Sequence, residues 1–195
     1  MIPWINLIIL IIATKLFLYF YILSVSPARM EQRIGERAWR RCTIYRFLAG
    51  GFEFVVMANY AVYVFYPLPL GLPERFPWPW WVSIVIGLMI AIPCGYLMLR
   101  GLKDAGEESV MVKKEHTLYG GIYERMRHPQ AVGEMPLFWA IAFLLHSPFL
   151  VLWSFVYVPV FIVMCWVEER DLLIRYGEAY EQYRRRVGLF FPKRQ

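Results

Sequence analysis

The chain is short of what water-soluble enzymes are built from. Only 18% of its 195 residues are charged, below the roughly 25% of soluble domains. Hydrophobic residues make up 59% and the mean hydropathy is +0.44, so lipid rather than water is the main solvent. Cysteine is equally sparse. Cys42, Cys94 and Cys165 lie in or beside apolar runs, odd in number and without C-x-x-C spacing, which argues against a disulfide framework and a zinc site. His116, His128 and His146 lack the short helical spacing that lets two imidazoles share one ion, so no metal is expected. Met1-Ile2-Pro3-Trp4 has no basic n-region, and the apolar run behind it is too long for a signal peptide; it reads as a retained first helix.

What the chain does have is apolar length. About 20 helical residues cross a hydrocarbon core about 30 Å thick, and 4–24, 44–66 and 80–99 each meet that need. Segments 130–145 and 149–166 form a shorter pair hinged at His146-Ser147-Pro148, where proline interrupts the helical ladder. The expected fold is all-α, a polytopic integral membrane helical bundle of about five transmembrane helices with a cytoplasmic C-terminal helix. A single domain covers 1–195, with three spans in 1–99 and a loop, a helical hairpin and a terminal helix in 100–195.

The net charge of +6 sits at the ends of apolar segments, where anionic headgroups rather than nucleic acid would meet it. Arg29, Arg33, Arg37 and Arg41 recur every fourth residue, the pattern of a basic amphipathic turn on a leaflet. Basic residues fill the first connection, the third connection and the tail, whereas the Pro- and Trp-rich second connection has few. That asymmetry predicts the N-terminus outside and the C-terminus cytoplasmic. Lys15 and Glu53 are lone charges at similar depth in neighbouring spans, and a pair between them is expected.

Two stretches carry chemistry. The first, His116-Thr117-Leu118-Tyr119-Gly120-Gly121-Ile122-Tyr123-Glu124-Arg125-Met126-Arg127-His128-Pro129, is polar and glycine-containing and opens a helix with its proline. Its free amides suit an anionic group, although a plain capped loop would look the same. The second is Glu168-Glu169 directly after apolar Val163 to Val167. Adjacent carboxylates at a membrane boundary call for a cation or hydrogen-bond donors against them, which a ligand or Arg170 and Arg175 could supply.

Together these stretches resemble one family. G-I-Y-x-x-x-R-H-P-x-x-x-G over 121–133, then E-E-x-x-L-L-I-x-Y-G-x-x-Y-x-x-Y and a final F-P over 168–192, are similar to the isoprenylcysteine carboxyl methyltransferase and phospholipid methyltransferase superfamily. The match covers roughly the last eighty residues, and order, spacing and membrane context agree. The resemblance implies methyl transfer from S-adenosyl-L-methionine to a lipophilic small molecule or lipid, in a cytoplasm-facing pocket over the last two spans. It implies cofactor contacts from His116, Thr117, Leu118, Tyr123, His128, Pro129, Gln130, Glu168 and Tyr180, with Tyr183 also closing the pocket. Arg127 would orient the loop and Glu169 would accept a proton. Glu134 and Met164 would meet the acceptor.

Three positions depart from the family pattern. Ala131 stands where a tyrosine is usual, Leu189 where an arginine precedes the final F-P, and Met164 where carboxylate-methylating relatives have an arginine. The last change, with Glu134 near the start of the fourth span, points to an amine-bearing or neutral acceptor rather than a carboxylate. A catalytically silent membrane scaffold of the same fold and a sterol-reductase-like oxidoreductase are the competing readings.

Overall fold

The computed structural model describes residues 1–114 and 120–193. Helices α1 (Ile2–Ser24), α3 (Arg37–Phe65) and α4 (Trp80–Ala105) are the first three long elements, with the short α2 (Pro27–Ile34) between α1 and α3. Then follow α5 (Pro129–Glu134), α6 (Leu137–Leu144), α7 (Pro148–Ser154), α8 (Tyr157–Tyr176) and α9 (Glu178–Arg186). Among the described residues four stretches are long and apolar enough to cross a bilayer: Ile2–Ser24, Arg37–Phe65, Trp80–Ser109 and Pro148–Tyr176. Large apolar side chains such as Phe54, Met89, Ile92 and Trp166 point outward, as lipid contact requires. The molecule is a helical integral membrane protein.

Segment 130–145, expected as one span, is instead two short helices, α5 and α6. Pro136 has no amide hydrogen to give Val132 and the ladder breaks there. Pro159 stands four residues after Phe155, where α7 ends, and divides α7 from α8 in the same way. Beyond that break α8 runs unbroken through Glu168 and Glu169 to Tyr176, so the acidic pair lies inside a helix rather than at the end of one. Both carboxylates are thereby held by a regular backbone.

Antiparallel α5–α6 lies along α4 through glycines. A side chain on Gly133 would collide with the backbone of Cys94 and Met98, one on Gly101 with Pro129 and Gln130, and one on Gly87 with Ala140 and Leu144. Between membrane helices, where there is no hydrophobic drive to associate, such close approach supplies the attraction. On the other side α1 and α3 pack together, and the core they share with α6 to α8 holds Phe17, Tyr60, Phe138, Tyr157 and Met164. Phe138 and Tyr157 stack at 3.7 Å between ring centroids.

The expected Lys15–Glu53 pair does not form. Leu10, Ala13 and Phe17 turn inward on α1, and Lys15, two residues from both Ala13 and Phe17, falls on the opposite, exposed face. Glu53 instead lines the same cavity as Glu134 of α5. At the basic end of the bundle, Asp171 of α8 accepts from the Ala28 amide at 3.0 Å and the Arg29 amide at 2.8 Å. It caps α2 from another helix and stitches the amphipathic turn to the bundle.

Candidate active site

Local geometry brings the two sequence motifs together. Gly121 adopts φ +65° and a side chain there would strike Asp104, whose carboxylate accepts the Ile122 amide at 2.8 Å. A 3₁₀ turn, Gly121–Glu124, follows, and it drops the Tyr123 ring inside, where its hydroxyl donates to Gly101 O at 3.3 Å and accepts from Gln130 Nε2 at 2.9 Å. The tail then fastens the loop through its backbone. Arg127 N donates to Gly188 O at 2.9 Å and His128 N to Leu189 O at 3.2 Å, and a side chain on Gly188 would run into Phe191 O. Position 189, where the family carries arginine, serves here through its carbonyl.

Glu169 is the hub. Its Oε1 accepts from His128 Nε2 at 3.0 Å and from the Tyr180 hydroxyl at 2.5 Å, and its Oε2 meets Arg127 Nη1 at 2.9 Å. On the other side of the imidazole, His128 Nδ1 lies 3.4 Å from Glu168 Oε2. Burial opposes a charge on His128, but the Cys165, Glu168 and Glu169 side chains around it prevail and hold its pKa well above the ordinary imidazole value. Burial, reinforced by the charge of Glu169, raises the Tyr180 phenol. Burial likewise raises the phenols of Tyr123 and Tyr183, so all three remain hydroxyl donors. Tyr183 gives its hydrogen to Tyr123 O at 2.7 Å and latches α9 over the loop.

This cluster borders a cavity of about 210 Å³. Arg127, His128, Gln130, Glu168, Tyr123, Tyr180 and Tyr183 line it together with Tyr21, Glu53, Ala131 and Glu134. Of the residues expected at the site, Glu169 stands behind the lining with its oxygens engaged, and Pro129 is packed against Gly101. Met164 lies in the apolar core, not on the cavity wall. His116, Thr117 and Leu118 lie outside the described residues.

Other lining residues were not anticipated as site residues. Arg46 donates to the carbonyl oxygens of Glu108 and, at 3.4 Å, Ser109. Arg175 binds the Glu108 carboxylate and the Lys113 carbonyl, so the segment after α4 is drawn against the cavity. A basic residue toward the Arg-rich end of each helix was the available signal, and it read equally well as a topology marker.

The fold so far defines a polytopic helical membrane protein with a polar cavity at the basic end. Comparison with known proteins places it more narrowly: a family model described as phospholipid methyltransferase matches residues 82–179, about half the sequence, and the chain belongs to that family. It is similar to methanethiol S-methyltransferase 2 of Bradyrhizobium diazoefficiens, 32% identical over 72 residues, or 37% of this chain and 27% of the relative. A methanethiol S-methyltransferase of Pseudomonas sp. (strain GM41(2012)) is 32% identical over 73 residues with the same coverage. The matched part spans about a quarter of the length of those relatives. No solved structure matches.

Proposed function

We propose that this protein transfers a methyl group from S-adenosyl-L-methionine to a lipophilic or membrane-embedded acceptor. The observation that carries the reading is the convergence of the R-H-P loop and the E-E pair on one cavity wall, with the tail closing over them. The lining suits a zwitterionic sulfonium nucleoside in its donor set. Glu168 offers a carboxylate to an ammonium group or to ribose hydroxyls, Arg127 and His128 are cations for a carboxylate, and Tyr123, Tyr180 and Tyr183 offer rings to a base. When bound, that cofactor would supply an electrophilic methyl carbon.

The residues would divide the labour as follows. Glu168 and Gln130 contact the cofactor, and Arg127 with Glu169 positions His128 and the loop. Tyr180 and Tyr183 hold α9 down and exclude water, which such a displacement needs in order to keep its reacting atoms aligned. The bundle end carrying Arg29, Arg46 and Arg175 would face the cytoplasm with the C-terminus, and the N-terminus would lie outside. Calorimetric titration tests the assignment: Glu168→Gln and His128→Ala each weaken S-adenosyl-L-methionine binding about ten-fold or more while the thermal transition in detergent persists. Unchanged affinity in both variants would overturn it.

A further inference from the structure

The segment that follows α4, residues 106–114, contributes Glu108, Ser109 and Val112 to the cavity wall. Gly106 joins it to α4 at φ +63°, a conformation open to glycine, in space where an added Cβ would touch nothing. A 3₁₀ turn, Gly106–Ser109, follows. What holds the segment down is almost entirely polar. Arg175 of α8 grips the Glu108 carboxylate and the Lys113 carbonyl, and reaches the Lys114 carbonyl at 3.2 Å. Arg46 of α3 holds the Glu108 and Ser109 carbonyls. The Val112 amide donates to Thr43 Oγ1 at 3.1 Å, and Lys114 pairs with Glu31 of α2 at 2.7 Å.

Apolar anchorage of the segment is slight. Val112 packs with Trp39 and Cys42 in a small separate cluster, Val110 and Met111 are exposed, and no residue of 106–114 belongs to the main core. The segment can therefore lift about its glycine joint while the helices stay packed, as elements that move in function do. The cation that fastens it is fixed by contrast. The buried Arg175 guanidinium lies over Trp39 at 4.8 Å and Tyr176 at 4.9 Å.

Cavity size supplies a second, independent observation. With the segment down the cavity measures about 210 Å³, below the roughly 300 to 1,000 Å³ of ordinary small-molecule sites. A nucleoside donor and the reacting end of an acceptor need more room than that. Arg175 stands at a position that the E-E-x-x-L-L-I-x-Y-G pattern leaves open, and Thr43 and Arg46 fall outside residues 82–179, so the fastening is particular to this chain.

We propose that residues 106–114 form a gate, hinged at Gly106 and latched where Arg175 holds Glu108, which lifts to admit the zwitterionic sulfonium donor and closes over it. This rests on the methyl-transfer reading above. Closure shuts water out of the cavity once the donor is in place. Glu108 is a positioning residue, acting through the segment that carries it.

Opening is read without any ligand by thiol labelling in detergent. Val112 is buried, so in Val112→Cys the thiol meets N-ethylmaleimide only when the segment lifts. Adding Glu108→Gln speeds labelling at position 112 about ten-fold, followed by peptide mass spectrometry, while Cys94, further back on α4, keeps its rate. S-adenosyl-L-methionine at about ten times its Kd slows labelling at 112 about ten-fold, and it dissociates faster from Glu108→Gln than from the parent. Equal labelling with and without Glu108→Gln, or a rise shared by Cys94, overturns the gate whatever the cavity binds. Local labelling in a protein that binds no S-adenosyl-L-methionine instead overturns the donor reading on which the gate's cargo rests. Should Glu108→Gln fail to fold, Thr43→Val, which removes the acceptor of the Val112 amide, decides: it speeds labelling at 112 several-fold, and an unchanged rate overturns the proposal.

Discussion

Three groups from three parts of the chain converge on the Glu169 carboxylate: Arg127 and His128 from the loop and Tyr180 from α9. Glu169→Gln keeps the shape and removes the charge, leaving two buried cationic groups uncompensated, which costs about 3 to 5 kcal/mol. A drop of several degrees in the detergent melting temperature is the expected outcome. The His128 proton gives this cluster a pH signature. Its folded-state pKa lies above the unfolded value, so its contribution to stability is whole below about pH 6.5 and drains away as pH climbs through the raised value. Melting curves across that range should fall for the parent and flatten for His128→Asn. A flat parent profile would mean the imidazole is neutral in the folded state.

At the level of whole helices, position depends on glycine. Gly133 meets the α4 backbone at Cys94 and Met98, and α5 begins at the residues that reach the cavity. Gly133→Val should therefore push α5 off α4, costing about 1 to 3 kcal/mol from overpacking, and weaken cofactor affinity as well. Calorimetry showing loss of stability with full affinity would separate the packing from the site. The sequence made Gly133 visible as part of a motif but gave no hint of its opposite surface, because helix neighbours are not written in one strand of text. Apolar length predicted α1, α3 and α4 well. It could not foresee that Pro136 would split one span, that α8 would carry Glu168 onward inside a helix, or that Asp171 would cap α2 across 143 residues. The Lys15–Glu53 expectation failed on azimuth: equal depth is readable from residue counts, while facing requires knowing which side of α1 is inward.

Over the molecule as a whole, charge is the most legible property. The Arg-rich connections lie at one end and the Pro-rich stretch of 67–79 at the other, where His146 and Trp78 share the Ser83 hydroxyl at 2.8 and 2.9 Å. The proposed orientation has a direct check. In a variant with Cys42, Cys94 and Cys165 replaced, a cysteine at Leu72 should react with an impermeant thiol reagent applied from outside intact cells. One at Gln182 should react only after the membrane is opened. The reverse pattern would invert the topology.

The pairing of Arg127 and His128 amides with Gly188 and Leu189 carbonyls also sets an order of events. Residue 188 leaves the ribosome after the apolar stretches that precede it in the chain. The spans before it can thus be threaded and packed while the cavity still lacks a wall, and the proposed site is completed after the helices that frame it. A chain ended just after α9 would take its place in the membrane like the parent, remain inert, and be open to rescue by a peptide bearing the missing edge.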